Sequence, residues 1–312
     1  MPSRVVVSAP ATIANLGPGF DVFGLALAEP ADVIEAHATA GAEMKISEVT
    51  GVGAGKIPKD PSENTATIAA GKVAEALGRE GGAEFTIKKG VKPGGGLGSS
   101  GASAAAGAVA MNELLGGKLT DSQLIEAAAF AEAQVAGATH YDNVASSIVG
   151  GFVIVASTDP LECIKVEPPK MKIIVAQPEL ELPTREGRRV LPRKVELEKA
   201  VANVGRASAM AAALKEGDLK WFGRYMLDSI AEPARAHLIK GFDEVKGAAL
   251  GAGALGAAMA GAGPSVFAII DPKENPKKVE DAMRAAFEEA GTKCETLVTS
   301  PGPGAKVVSR ED

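Results

Sequence analysis

The chain alternates short β-branched runs with alanine-rich helical stretches, and their order sets the fold class. Residues 4–9 form a strand-type run closed by Pro10, and alternation over 32–38 predicts a second strand. Between them, 12–21 is a loop punctuated by glycine and proline. Asp60, Pro61 and Ser62 give a helix-start signal, and 63–77 follows as a helix stopped by Gly78. A short strand at 84–88 precedes an alanine-rich helix at 99–115, and Thr120 stands in capping position before a helix at 121–135. A strand at 152–156 ends the first half. The second half opens with a strand at 172–176, and helical stretches follow at 185–191, 195–214, 219–227 and 234–249. Two strands, 255–260 and 265–270, flank a Gly/Pro break, and a helix at 276–289 with two short strands closes the chain. Strands mixed with helices throughout give an α/β or α+β fold. Pro160 and the pair Pro168, Pro169 mark a change of character, which divides the chain into units 1–165 and 166–312.

Composition narrows the classes. A length of 312 residues suits two domains and a large core. A hydrophobic share of 46% excludes a disordered chain. The net charge of −6 excludes a general nucleic-acid binder, which needs basic excess. The longest apolar run, 257–270, is broken by Gly261, Gly263 and Pro264, short of the roughly 20 residues that span a bilayer. Arg4 is followed only by Val5 to Val7 before polar residues, too little for a signal-peptide core. Cys163 and Cys294 give neither a disulfide framework nor metal-ligand spacing, and read as reduced thiols of a cytoplasmic protein. The 37 glycines exceed the usual share of roughly 7%, so their location matters.

Six of the twelve residues from 90 to 101 are glycine, between a predicted strand and a predicted helix. Glycines let several N–H groups converge, and the helix start adds free N–H groups and a positive dipole end, which together suit phosphate. The run lacks the lysine of a GxxxxGK[ST] loop, and Ser99 breaks the dinucleotide fingerprint. By itself it is also readable as a flexible loop capped by serine. Three further segments carry polar groups in turns: Asn15 to Asp21, His140 to Asn143, and Gly261 to Ser265. Taken alone, the first and third read at least as well as ordinary turns, and His140 reads better as a structural hydrogen-bonding residue. His37 and His237 read as structural or exposed, and a Ser-His-Asp triad lacks its G-x-S-x-G elbow.

Taken in order, these segments resemble a family. Pro93, Gly94, Gly95, Gly96, Leu97, Gly98, Ser99, Ser100, Gly101, Ala102 and Ser103 resemble the phosphate motif of the GHMP kinases, with Gly101 where alanine is commoner. Gly261 to Ser265 resembles the family's G-x-G-P-S motif. The run 10–27, the H-x-D-N-V-A stretch from His140, the P-T-R-E-G-R stretch from Pro183 and the E-P-A-R stretch from Glu232 resemble the homoserine-kinase branch.

The resemblance implies a two-domain α/β fold: an N-terminal ribosomal-S5-like domain with a left-handed βαβ unit, and a C-terminal ferredoxin-like domain. It implies ATP-dependent phosphorylation of L-homoserine to O-phospho-L-homoserine, a step toward threonine. It implies Arg188 and Arg235 on the substrate carboxylate, Asp21 on the ammonium, and Asn15 and His140 as further hydrogen-bonding groups. It puts ATP phosphates on residues 93–103, Asn64 near the base, and Mg²⁺ on Ser100 and Glu132. Asn143 is placed toward the substrate hydroxyl, with Asp142 and Arg188 as the other catalytic candidates. A homodimer is also implied. The rival expectations are a shikimate or mevalonate kinase of the same family and a catalytically silent metabolite sensor. Mevalonate has no ammonium to pair with Asp21, and a silent sensor would lose the phosphate loop.

Overall fold

Strand alternation at the start of the chain builds the first sheet. In the computed structural model, which describes residues 1–312, β1 (Arg4–Ala14) buries Val5, Val7 and Ala9 on one face. The strand runs past Pro10, because a register shift between Pro10 and Thr12 absorbs the missing N–H donor. β2 (Phe23–Thr39) is likewise far longer than its alternating half, pairing with β4 (Gly82–Lys89) over 33–39 and with β5 (Phe152–Thr158) over 23–25.

Two strands absent from the expected set, β3 (Met44–Gly51) and β6 (Leu161–Val166), each have a single strand partner. β3 buries none of its residues, so it carries no hydrophobic period to read. It runs parallel to β4, to which it connects through α1 (Thr65–Ala76). That helix starts later than expected, with Asn64 as its N-cap.

α2 (Ser99–Leu114), α3 (Asp121–Ala136) and α4 (Tyr141–Val149) join α1 in one core with the first sheet. α2 is alanine-rich because it is buried on almost every face. A Cβ on its Gly107 would collide with the backbone of Ala66 in α1, so glycine sets the distance between the two helices. Thr120 caps α3 in a reciprocal capping box with Gln123. α4 escaped sequence reading because Asp142, Ser146 and Ser147 lie on its buried side and break the apolar stripe.

The second sheet is antiparallel, in the order β10 (Cys294–Thr299), β7 (Lys172–Pro178), β9 (Val266–Ile270), β8 (Gly256–Met259). One face packs on α9 (Phe242–Gly251) and α10 (Lys277–Glu289) through Val245, Met283 and Phe287. The other face meets the first sheet. Ile173, Val175 and Phe267 pack with Leu25, Phe152 and with Met210 and Phe222, from α6 (Leu197–Glu216) and α7 (Leu219–Arg224). Phe152 stacks edge-on against Phe23 at 4.9 Å and Phe222 at 6.1 Å. This shared core fixes the two sheets against each other.

The expected helix at 234–249 is instead α8 (Ala231–Arg235), a 3₁₀ turn and α9, separated at Gly241 with φ +84°. The last strand, β11 (Lys306–Glu311), returns to pair with β1. The first sheet thus draws on both sides of the expected 165/166 division: β6 ends at Val166, and residues 306–311 pair with β1. No helix is long and apolar enough to cross a membrane.

Candidate active site

A cleft of about 270 Å³ opens where the two sheets face each other, and the polar segments singled out in the sequence converge on it. The glycine loop after β4 forms one wall. Gly94, Gly96 and Gly98 all have positive φ, which lets the chain coil before α2 begins at Ser99. Pro93, Gly94, Gly96, Gly98, Ser99, Ser100 and Ser103 line the cleft. The other four motif residues point elsewhere: Leu97 and Ala102 are core side chains, Gly101 packs on Asn143, and Gly95 gives its carbonyl to Ser265 Oγ.

The Gly261 to Ser265 loop acts as a clasp. Ser265 is wholly buried, and a Cβ on Gly96 would strike the carbonyls of Ala260 and Gly263 at 2.7 Å. The loop from the second sheet is thus keyed into the phosphate-type loop of the first. Gly261 also accepts from Asn15 Nδ2 at 2.8 Å and Arg235 Nη1 at 3.2 Å.

Asn15, Leu16 and Asp21 hold φ of 71°, 46° and 55°, an uncommon state for residues with side chains. The Asn15 side chain is occupied within the protein, since its Oδ1 accepts from the Asp21 N–H at 3.0 Å. Asn15 thus shapes the loop that presents Asp21. Asp21 is paired with Arg188 from α5 (Thr184–Arg189), which donates from both terminal nitrogens at 3.0 and 3.1 Å. The two groups that the sequence reading gave to opposite ends of a zwitterion are here each other's partners. Asn64 is also satisfied internally, by Ala66 N–H and the Pro58 carbonyl.

Arg235 has no carboxylate within ion-pair distance. It is 3% exposed, donates from Nε to the Gly187 carbonyl at 3.0 Å, and lies over the Phe20 ring at 5.2 Å. Burial pulls its pKa down, with the charge of Asp21 opposing. His140 and Glu132 form a buried pair at 3.0 Å. Burial lowers the imidazole pKa, but the Glu132 hydrogen bond and charge outweigh it and the net shift is upward. His140 Nε2, Glu132 Oε1 and Arg188 Nε are buried without protein partners, and all three residues line the cleft.

Asp142 is 2% exposed, and its Oδ1 accepts from the N–H and Nδ2 of Asn143 at 2.9 and 3.3 Å. Burial, then the charge of Asp21, pushes its carboxyl up to about 6 against the pull of His140. Asn143 Oδ1 accepts from Thr12 Oγ1 at 2.8 Å. The Asn143 amide is therefore fixed at both ends. Thr12, Lys89 and Asp32 belong to this site's framework and were missed in the sequence. Alternation alone puts Asp32 in phase with Ile34 and Ala36, and Lys89 in phase with Phe85 and Ile87, so two charges fall on buried faces.

Residues 64–151 match the GHMP kinases N terminal domain family, and residues 210–289 match the GHMP kinases C terminal family. The homoserine kinase of Pyrococcus furiosus is 46% identical over 300 residues, covering 96% of this chain and 99% of that one. The homoserine kinase of Pyrococcus abyssi is 44% identical over 96% of this chain and 98% of its own. The chain belongs to the homoserine kinase branch of the GHMP kinases. The crystal structure of homoserine kinase from Cytophaga hutchinsonii superposes with a TM-score of 0.92 at 39% identity, over 99% of this chain and 98% of that one. The mevalonate kinase of L. major, at 16% identity and a TM-score of 0.74, shares the GHMP kinase fold.

One loop glycine tests how closely this GHMP kinase is assembled. A Cβ on Gly98 would collide with Thr12 Oγ1 and lie 2.7 Å from Asn143 Oδ1, the pair that orients the amide. Gly98→Ala also forces alanine to φ +65°, a backbone cost of roughly 1–2 kcal/mol. The expected result is a kcat loss of about 10²-fold, the scale of a 1 Å misplacement. Steady-state ADP release checks it, and unchanged kcat refutes the arrangement.

Proposed function

We propose that the protein transfers the γ-phosphoryl group of ATP to the hydroxyl of L-homoserine, giving O-phospho-L-homoserine. The observation that carries this reading is the meeting, in one cleft, of a glycine loop at a helix start with Asp21, Arg188 and Arg235. Homoserine is a zwitterion with a primary alcohol. Its carboxylate needs guanidinium donors and its ammonium needs a carboxylate. On this reading Arg235 and Arg188 take the carboxylate, Asp21 takes the ammonium, and His140 Nε2 supplies a further hydrogen bond.

ATP phosphates lie against Gly94, Gly96, Gly98, Ser99 and Ser100, where unsatisfied N–H groups and the α2 dipole favour negative charge. Asn64, held by Ala66 and Pro58, shapes the part of the cleft wall that takes the nucleoside. The donor set also fits Mg²⁺: Glu132 Oε1 is a buried carboxylate oxygen without a partner, and Ser100 shares the cleft. No cluster of three acidic, histidine or cysteine ligands is present, so Ser100 and Glu132 would hold the ion together with nucleotide and water oxygens. When bound, the ion neutralises phosphate charge.

Transfer follows from positioning. Phosphoryl transfer passes through a loose, metaphosphate-like state, so alignment and charge stabilisation supply most of the rate. Asn143, held by Thr12 and Asp142, aims the substrate hydroxyl. Asp142 keeps Oδ1 on Asn143, so it orients the amide, and the hydroxyl proton leaves to the transferring phosphate or to water.

The deciding experiment measures ADP release with ATP, with and without Mg²⁺, against homoserine, shikimate and mevalonate. Release is expected with homoserine and Mg²⁺, and equal or greater turnover of shikimate or mevalonate overturns the reading.

A further inference from the structure

Asp32 and Lys89 form an ion pair beneath the start of α2, with Asp32 fully buried and Lys89 3% exposed. The strand register, with Val33 opposite Lys88, brings the two residues together from β2 and β4. Lys89 Nζ donates to Asp32 Oδ2, to the Ser99 carbonyl at 2.9 Å and to Ser103 Oγ at 2.8 Å. Those three bonds use all its hydrogens. Asp32 Oδ1 accepts from the N–H groups of Gly90 and Val91, both at 3.0 Å, and Oδ2 accepts from the Ser103 hydroxyl at 2.7 Å.

These partners sit at both ends of the glycine loop. Gly90 and Val91 lead into it, while Ser99 and Ser103 lead out of it. The pair therefore fixes the span across which the loop must coil. Stability alone does not account for it, because desolvation offsets the attraction of buried charges and an apolar pair of similar volume serves as well or better. A lysine in a GxxxxGK[ST] loop follows the glycines and reaches the phosphates. Here the lysine precedes the glycines, and its hydrogens are all committed to protein oxygens.

We infer that Asp32 and Lys89 are positioning residues for phosphoryl transfer, holding the loop in the shape that binds nucleotide phosphate, with Lys89 making no phosphate contact itself. This rests on the reading that nucleotide phosphate lies on the loop. It requires that the negative partner matter as much as the positive one. It also requires that repairing the core without the charges leave the loop impaired.

The test compares Asp32→Asn, Lys89→Met and the double variant Asp32→Leu/Lys89→Met by Tm, by calorimetric ADP affinity and by KM for ATP and homoserine. The single variants are expected to lower Tm, and the double variant to recover most of the loss. All three should weaken ADP binding about tenfold or more, as loss of a supporting shell does, and raise the KM for ATP. The KM for homoserine should stay within about twofold of the wild type. Tight ADP binding by Asp32→Asn beside weak binding by Lys89→Met would overturn the inference, because Lys89 would then be a phosphate ligand. Wild-type ATP kinetics in the double variant would overturn it as well, leaving the pair a core feature. If the double variant does not fold, ADP affinity in Asp32→Asn and Ser103→Ala decides, and unchanged affinity in both overturns it. Wild-type protein is the control: failure of the wild type to bind ADP removes the nucleotide reading itself, whereas equal binding by wild type and variants removes only the role of the pair.

Discussion

Asp142→Asn is expected to be more stable than the wild type at neutral pH and still to turn over substrate. The carboxyl ionises near 3.8 in an unfolded chain and at about 6 in the fold, because burial and the charge of Asp21 oppose its ionisation. Between those values the unfolded chain releases the proton and the folded one keeps it. Stability therefore falls as pH rises from about 4 to about 6, and the penalty is constant above that window. At about 1.4 kcal/mol per pH unit the penalty reaches about 3 kcal/mol. Asparagine keeps an Oδ1 acceptor for the Asn143 N–H and carries no charge. Denaturant unfolding should show the variant about 3 kcal/mol more stable at pH 7.5 and equal to the wild type near pH 4. An equal difference at both pH values would refute the buried-charge origin.

The same variant separates two mechanisms. If Asp142 only orients Asn143, kcat should fall by about 10²-fold or less, because the acceptor survives. A loss beyond roughly 10⁴-fold, the upper end of general-base effects, would make Asp142 the base. A gain in stability with a loss in rate is the exchange expected where a buried charge is kept for chemistry rather than folding.

The sequence was most legible where one residue determines the local geometry. The glycine loop and its helix could be read because Gly94, Gly96 and Gly98 adopt left-handed φ that other residues avoid. Thr120 announced α3 through a cap that needs no tertiary partner. Legibility failed where tertiary contacts decide. β3 carries no buried period, and α4 hides its apolar face under buried Asp142, Ser146 and Ser147. At the candidate site, the side-chain types were readable but their partners were not. Asp21 and Arg188 are 167 positions apart, and nothing local indicates that they pair. Asn15 is a suitable ligand by type, yet Gly261 and Asp21 claim its amide. The Asp32–Lys89 pair was visible in principle, as charges in the buried phase of two strands.

Arg235→Lys is expected to raise the KM for homoserine about 10²-fold, with the KM for ATP within about twofold. Arg235 is buried, and its hydrogen bonds go to the Gly187 and Gly261 carbonyls, so three of its five N–H bonds remain for an anion. A guanidinium held by two neutral acceptors and kept out of water is an unfinished ion pair, and a carboxylate completes it. Lysine has a single ammonium and cannot hold both carbonyls and a carboxylate in one plane. Loss of one charge-assisted bond, worth roughly 1.5–3 kcal/mol, gives the stated factor. Arg188→Lys should raise the same KM by less, since the Arg188 side chain is 33% exposed and already shares Asp21. Homoserine should also raise the Tm of the wild type more than that of Arg235→Lys, because at a given ligand concentration the stabilisation grows with the logarithm of affinity. An unchanged KM in Arg235→Lys would leave this buried cation without a ligand and would move the carboxylate to Arg188 alone.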